Sequence, residues 1–466
     1  MKAPETWDPP KIDPEIVLKY DRPGPRYTSY PTAPHFHERF TCEDRIRAIR
    51  RSNEIAPPAP LSLYFHIPFC SSLCRFCGCS VHRTKDRGIS ESYVDALLAE
   101  LSSLGNLLGK GRKLEQLHWG GGTPTFIPAG LLGKLHDAVF DSFETGASPE
   151  IGIELDPREL GESHFEFLER SRFNRFSIGI QDFDPRVQEA VHRAQDEKAT
   201  VSVFERLRKL DRASLSVDLM YGLPLQTARS FSSTIGKVIG MAPDRVAVFN
   251  FAYIPEQLPH QRTIDAGLLP SPAEKLEILG MVIGELTSAG YVCIGMDHFA
   301  RPGDELAAAL KEGTLHRNFQ GYTTKGGCDL FGVGATSISQ FSNVYSQNIK
   351  DAPRYIEAAV SGRSTVMRGI ELTGEDLLRR DVINGLMCRS EVRKNEIEEK
   401  HGIEFDMFFK NELENLAPME KDGLVSLSRY KLEVKPLGRL LVRNIAMVFD
   451  AYLNRAGCKA SFSRTV

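Results

Sequence analysis

The sequence predicts an α/β protein: an incomplete (β/α)6 barrel, an N-terminal arm and a small, mainly helical C-terminal domain. Three observations carry this expectation. Strand-like and helix-like stretches alternate through six units from about residue 61. Polar or glycine-rich residues follow every strand at the same end. The pattern then changes at both flanks, to a proline-rich arm before the barrel and to helices with one alternating run after it. The expected boundaries are 1–57 for the arm, 58–365 for the barrel and its extension, and 366–466 for the C-terminal domain.

The arm contains Pro23-Gly-Pro-Arg-Tyr-Thr-Ser-Tyr-Pro31 and Ala56-Pro-Pro-Ala-Pro60. Both read as extended, turn-rich chain, suited to a linker or a wrapped arm. Leu61–His66 is a short apolar run and reads as the first strand. Ser90–Leu108 has helical spacing, with Tyr93, Leu97, Leu98 and Leu101 on one stripe. Further strands are expected at Leu114–Trp119, Ile151–Leu155, Phe173–Ile180, Leu215–Met220 and Arg245–Phe251. Helices over 128–142, 163–170, 198–210 and 227–240 separate most of them. Such repeats build a parallel sheet with right-handed crossovers, and six units fall short of an eight-fold barrel.

In the C-terminal part, Thr373-Gly-Glu-Asp376 reads as a capping box that opens a helix running to about Cys388. Two more helical stretches follow, then an alternating run over Leu424–Val434 and a helix over Gly438–Leu453. Helices with a small hairpin suit a winged helix. Its third helix, expected around Glu404–Glu414, is acidic, however, which is wrong for phosphate contact, so no nucleic-acid partner is expected. A net charge of −3 over 466 residues adds no basic field. The opening Met-Lys-Ala-Pro-Glu-Thr-Trp-Asp-Pro-Pro has no apolar stretch, and no run is long and apolar enough to span a membrane. Cys42, Cys293, Cys328, Cys388 and Cys458 are scattered singly, as expected of reduced thiols in a cytoplasmic protein.

The pieces beyond the strands point to chemistry. The first strand runs into Cys70-Ser-Ser-Leu-Cys74-Arg-Phe-Cys77-Gly-Cys79, which holds four of the nine cysteines. The second meets Gly120-Gly-Gly-Thr-Pro-Thr125. The third ends in Glu154-Leu-Asp156, and the fourth runs into Gln181-Asp182-Phe183. The fifth contains Asp218 and precedes Tyr221-Gly-Leu-Pro224, and the sixth leads to Asn250-Phe-Ala-Tyr-Ile-Pro255. Barrel enzymes gather their reactive groups at the carboxyl ends of the strands. Each piece alone reads as turn punctuation, but six at one end do not.

Cys70, Cys74 and Cys77 have three and two residues between them. Three thiolates on so short a loop suit three corners of a 4Fe–4S cube and leave the fourth iron without an obvious ligand. A disulfide pair belongs to a secreted chain. A structural zinc site draws its ligands from two separated knuckles rather than one crowded loop. The loop therefore resembles that of radical enzymes that use S-adenosylmethionine (SAM), in which the open iron holds SAM and its cleavage leaves a 5′-deoxyadenosyl radical. Gly120–Gly122 would let backbone approach closely. Glu154 and Asp218 are suited to accept hydrogen bonds from ribose or amino groups, and Arg193 to hold a carboxylate. No motif for a Ser/His nucleophile or an acid–base pair is present, and radical hydrogen abstraction needs none.

Longer motifs narrow the resemblance. They are Gly24-Pro-Arg-Tyr-Thr-Ser-Tyr-Pro-Thr32, Tyr64-Phe-His-Ile-Pro-Phe-Cys70, His118-Trp-Gly-Gly-Gly-Thr-Pro-Thr125, Glu154-Leu-Asp-Pro-Arg158 and Gly179-Ile-Gln-Asp-Phe183. Gly295-Met-Asp-His-Phe-Ala-Arg-Pro302, Asn318-Phe-Gln-Gly-Tyr-Thr-Thr324 and Gly438-Arg-Leu-Leu-Val-Arg-Asn444 complete the set. Together they closely resemble the oxygen-independent coproporphyrinogen III dehydrogenases, also called oxidases, of haem biosynthesis. The resemblance implies a partial (β/α)6 radical SAM barrel. It implies oxidative decarboxylation of two propionates of coproporphyrinogen III to vinyls, giving protoporphyrinogen IX with release of carbon dioxide, methionine and 5′-deoxyadenosine.

By the same resemblance Cys70, Cys74 and Cys77 bind the 4Fe–4S cluster, and Cys79 is a family feature that does not ligate it. Two SAM molecules are implied. Tyr64, Gly121, Glu154 and Ile338 would contact the first. Phe76, Gly122, Thr123, Gln181, Arg193, Asp218 and Ala252 would contact the second. Tyr64 and His66 are placed as catalytic. The implied partners are a low-potential electron donor of flavodoxin or ferredoxin type and an electron acceptor, with the chain a monomer. A haem chaperone of the same superfamily is the alternative, but such relatives lack both the Cys79 feature and the Arg26–Pro31 arm. The substrate's four carboxylates call for local positive charge, for which Arg26, Arg301, Arg439 and Arg443 are candidates. The last two, four apart, are expected on one helix face.

Overall fold

The computed structural model describes residues 12–453 and 462–465. The opening decapeptide and Cys458 lie outside them. Alternation of apolar and polar side chains builds the central sheet. Strands β1 (Leu61–Ile67), β2 (Leu114–Gly121), β3 (Thr145–Leu155), β4 (Arg175–Gln181), β5 (Ser214–Tyr221) and β6 (Arg245–Asn250) pair in parallel in that order. Phe176, Ile178 and Ile180 of β4, like Leu215, Val217 and Leu219 of β5, are buried against the surrounding helices. The residues between them point into the lumen, as period two demands. The expected helices form within one or two residues of the predicted limits: Ile89–Leu107, Ala129–Ser142, Glu162–Arg170, Glu197–Arg208 and Ala228–Met241.

The sheet is larger than the sequence suggests. Asp329–Val333 adds a seventh parallel strand beside β1, and Ile338–Phe341, Val344–Asn348 and Val366–Glu371 continue that side in antiparallel pairs. Beyond β6 come His298–Ala300 and Val292–Gly295. The two outermost strands do not pair with each other, so the barrel stays open. Its floor is charged. Arg175 reaches Glu305 at 2.5 Å, and Arg245 reaches Asp304 and Glu305 at 2.9 Å each. Gln116 donates to Glu150 at 2.8 Å and accepts from Ser62 at 2.8 Å. These pairings satisfy side chains that would be costly to bury alone.

Several expectations need correction. The two proline-rich pieces are free of helix, as expected, but the arm also contains two α-helices not read from the sequence. Cys42–Glu54 is a helix whose capping box joins Thr41 to Asp44, and Pro14–Tyr20 is a shorter helix with Asp13 as its cap. Glu404–Glu414 is not one helix but breaks at Phe409, between Phe405–Phe408 and Lys410–Lys421. Gly438–Leu453 is not continuous either. Pro436–Leu440 and Val442–Met447 are separated at Leu441, so Arg439 and Arg443 do not share a helix face. Arg301 donates to the carbonyls of Pro243 and Ala242 below β6, so it braces a loop away from the strand ends. The predicted helix after Thr373 is present as Gly374–Arg389, with its capping box to Asp376. The alternating run becomes the hairpin Val425–Leu427 and Lys431–Val434, joined by a third strand, Glu391–Arg393.

The arm packs across the C-terminal part. Val17, Tyr27 and Tyr30 are buried in the same apolar cluster as Ile445 and Phe449. Tyr27 donates to Asp450 at 2.9 Å, and Arg443 donates to the carbonyl of Pro25 at 2.9 Å.

A buried carboxylate ties the open side of the sheet to the barrel. Glu100, on helix Ile89–Leu107, accepts from Gly334 N at 2.8 Å, Asn348 Nδ2 at 2.7 Å, Tyr355 OH at 2.6 Å and Thr365 Oγ1 at 2.8 Å. Glu100→Leu would strand these donors and is expected to cost about 3 kcal/mol in denaturant unfolding. A loss below about 1 kcal/mol would show that the knot does not hold the extension.

Candidate active site

The carboxyl ends of β1 and β2 meet so closely that glycine is required. Gly122 donates to Ile67 O at 2.8 Å, and Thr123 donates to Phe69 O at 2.9 Å. A Cβ on Gly122 would stand 2.7 Å from Phe69 O, which is backbone and cannot swing away. Gly121 has φ +115°, and a Cβ there would lie 2.5 Å from His66 Cε1. The glycines therefore seat the start of the cysteine loop against the end of β2.

Other elements hold the rest of that loop. Arg75 donates to Ala190 O at 3.1 Å, and His260 contacts Cys77 O at 2.8 Å. The loop closes one side of a cavity of ≈ 220 Å³. Cys70, Cys74, Cys77, Cys79 and Phe76 line it from the loop, and Gly121, Gly122 and Thr123 from the end of β2. Glu154, Gln181, Arg193 and Asp218 line it from the other strand ends. Four of the predicted residues stand apart from this wall. Tyr64 and His66 lie behind Gly121, Ala252 offers its carbonyl to Gln261 at 3.0 Å, and Ile338 packs beside Phe36 and Tyr345.

Fixed polar contacts organise the cavity. His118 meets Glu154 Oε1 at 3.1 Å, and Gly121 N donates to Glu154 Oε2 at 3.1 Å. Burial opposes the Glu154 charge, but His118 and the Gly121 N–H outweigh it and hold the carboxyl below its ordinary range. Tyr64 stacks on His118 at 6.1 Å between centroids. His66 Nε2 lies 3.0 Å from Ser80 O and so carries the proton. Its Nδ1 then accepts from Tyr64 OH at 3.1 Å. Burial pushes His66 down, in keeping with this neutral form. Across the cavity Ser177 donates to Asp218 at 2.8 Å, yet burial still raises Asp218 to about 7.

The donor set fits an iron–sulfur cluster. All described cysteines are unbridged. Arg193 and Arg158 point N–H groups at Cys74 Sγ from 3.6 and 3.7 Å, and both are anchored by Asp156 at 3.0 and 2.7 Å. Cationic donors of this kind stabilise thiolate ligands. Among the described residues no three His, Cys, Asp or Glu side chains gather tightly enough for a single metal ion. A cube asks for something different, one thiolate on each of three irons. Arg158, Ser177 and His260 were not picked from the sequence. Arg158 and Asp156 sit in one quoted motif, whereas Ser177 and His260 carry no local signal.

An open parallel barrel with a three-cysteine loop at its strand ends is the architecture of a radical SAM enzyme, and the Radical SAM superfamily model matches residues 64–238. A second model, the HemN C-terminal domain, matches residues 372–441. The oxygen-independent coproporphyrinogen III oxidase of Salmonella typhimurium is 44% identical over 97% of this chain and 98% of its own length. That of Pseudomonas aeruginosa is also 44% identical, over 97% and 98%. The solved structure of coproporphyrinogen III oxidase (HemN) from Escherichia coli, described as a radical SAM enzyme, superposes with a TM-score of 0.90 at 43% identity. It covers 95% of this chain and 100% of that one. The chain belongs to the oxygen-independent coproporphyrinogen III oxidase family, whose members take up a 4Fe–4S cluster and SAM.

Two outcomes follow from this geometry. Gly122→Ala forces the Phe69 carbonyl aside, so iron and sulfide per chain after anaerobic reconstitution should fall to a minor fraction with the far-UV spectrum unchanged. Full iron content would refute the close-contact argument. Asp218 titrates at about 7 folded against 3.8 ordinarily. In that window the folded state binds more protons than the unfolded one, so stability falls as pH rises. Asp218→Asn should flatten the decline of the thermal midpoint between about pH 4 and pH 7. An unchanged slope would rule out Asp218 as its source.

Proposed function

We propose that this chain converts coproporphyrinogen III to protoporphyrinogen IX without oxygen, by oxidative decarboxylation of two propionates to vinyls. Each propionate loses a hydrogen atom, one electron to an acceptor, and carbon dioxide. When bound, the reduced cluster and SAM supply the 5′-deoxyadenosyl radical that takes the hydrogen atom. The observation that carries this reading is the cavity shared by the four free thiols of the cysteine loop and the strand-end groups Glu154, Gln181 and Asp218. End-to-end likeness to oxidases of this name supports it.

Cys70, Cys74 and Cys77 would hold the cluster, with Arg193 and Arg158 neutralising its thiolate charge. Glu154 would orient SAM from one side, fixed in place by His118 and Gly121 N. Gly121 would complete that first contact from the cavity wall, with Tyr64 behind it, whereas Ile338 packs with Phe36 and Tyr345 outside the cavity. We assign a second SAM to Phe76, Gly122, Thr123, Gln181, Arg193 and Asp218, which share the cavity, and leave Ala252 outside it. The neutral His66, locked between Ser80 O and Tyr64 OH, keeps the tyrosine oriented toward the lumen. Burial raises Tyr64 well above its ordinary value, so it stays protonated and serves as a hydrogen-bond donor. A low-potential donor of flavodoxin or ferredoxin type, a separate electron acceptor, a monomeric state and a cytoplasmic setting complete the proposal. Among the described residues no helix is long and apolar enough to cross a membrane.

The test is anaerobic. Reconstituted protein is given coproporphyrinogen III, SAM and a chemical reductant. Protoporphyrinogen IX and 5′-deoxyadenosine are expected together. Tight haem binding with no loss of carbon dioxide would replace this reading with that of a haem chaperone.

A further inference from the structure

Arg317 presents an unusual electrostatic situation. The residue is 7% exposed, and its Nε and Nη1 are buried without a hydrogen-bond partner. Its guanidinium lies 4.7 Å from the Tyr322 ring centroid, a favourable contact that leaves those N–H groups unmet. Arg317 belongs to the hairpin His316–Asn318 and Gly321–Thr323. That hairpin sits between the lumen and the C-terminal part. Gln116 donates to Thr323 Oγ1 at 3.3 Å, and Tyr322 donates to Met387 O at 3.0 Å.

The surroundings are cationic. Arg26 and Arg443 both feel the Arg317 charge, and the Nε of nearby Arg439 is also unpartnered. The neighbouring carboxylates are already engaged: Asp297 pairs with Arg26, Asp21 with Arg464, and Glu433 with Lys431 and Lys435. Burial first, and then the charges of Arg317 and Arg26, push His298 down to about 3. A buried cation of this kind is costly unless something anionic arrives to meet it.

The position of this cluster gives it a use. Arg26, Arg439 and Arg443 line a cavity of ≈ 70 Å³ where arm, barrel and C-terminal part meet. Phe249 lines the thiol cavity, and the Arg26 guanidinium lies 5.7 Å from its ring centroid. Phe249 therefore separates Arg26 from the proposed radical chamber, and the ring contacts Phe249–His298 and His298–Tyr322, 5.7 and 5.3 Å between centroids, lead on to Arg317.

We propose that Arg317 receives a carboxylate of the substrate, with Arg26, itself paired with Asp297, adding to the positive field, so that hairpin 316–323 selects a polycarboxylate and sets how far a propionate reaches past Phe249. This rests on the substrate reading given above. The guanidinium supplies the paired N–H donors that a carboxylate accepts, and its uncompensated charge is met only in the complex.

The test uses coproporphyrin III, a stable porphyrin with the same four carboxylates, and its uncharged tetramethyl ester as probes of the reconstituted protein, read by fluorescence. R317Q should weaken binding of the acid by about tenfold or more. It should leave ester binding unchanged and spare SAM cleavage by reductant. R317K should recover part of the loss. The thermal midpoint of R317Q should match or exceed that of the wild type, because an unpaired buried charge has gone. Equal loss for acid and ester, or a midpoint lower by more than about 5 °C, would mark Arg317 as structural and overturn the proposal. Unchanged acid affinity would overturn it too, while wild-type turnover would still stand. Failure of wild type itself to convert coproporphyrinogen III is a different result and removes the substrate reading as well.

Discussion

The site depends on how closely two backbones can lie. The cysteine loop leaves β1 directly over the end of β2, and only hydrogen atoms at 121 and 122 leave room for it. From that contact follow the Gly121 N–H aimed at Glu154, the His66 ring beneath it and the direction in which Cys70 faces. A loop of three cysteines on a looser support would have neither a fixed opening nor a shared wall with the other strand ends. Charge then refines what backbone proximity sets up. Arg193 and Arg158, both braced by Asp156, bring positive groups to Cys74, while Glu154 is kept ionised by His118.

Much of this was legible in residue order because the periodicities are local. The six strands from Leu61 to Asn250 show period two, and their helices show period 3.6, so each was expected within a few residues. The cysteine spacing and the three glycines carried the chemistry in the same way. Elements whose signal competed with another were missed. The Thr41 capping box lies between proline-rich stretches that suggested extended chain. Asp329–Val333 is only five residues long and owes its place to pairing with β1 rather than to any alternation of its own. The break at Leu441 parts Arg439 from Arg443, which donates to the arm carbonyl of Pro25.

Side-chain partnerships across the barrel were the least legible. Nothing near Ser177 in sequence announces Asp218, and nothing near Arg75 announces the Ala190 carbonyl. The Glu100 knot joins residues up to 265 positions apart. Arg301 illustrates the opposite error. It stands inside a specific motif, yet its guanidinium is spent on two backbone carbonyls. Residue type and motif membership show which groups are present, and only the fold shows which of them are free.

The ion-paired floor of the lumen also bears on how such a chain diverges over time. An apolar layer tolerates drift, since one aliphatic side chain substitutes for another of similar volume. Arg175, Arg245, Asp304, Glu305 and Glu150 offer less latitude, because losing one unbalances the charge of a network in which Arg175 pairs with three carboxylates and Arg245 with two. Descent through this part of the barrel therefore favours coupled replacements. The floor is a ratchet on the lineage.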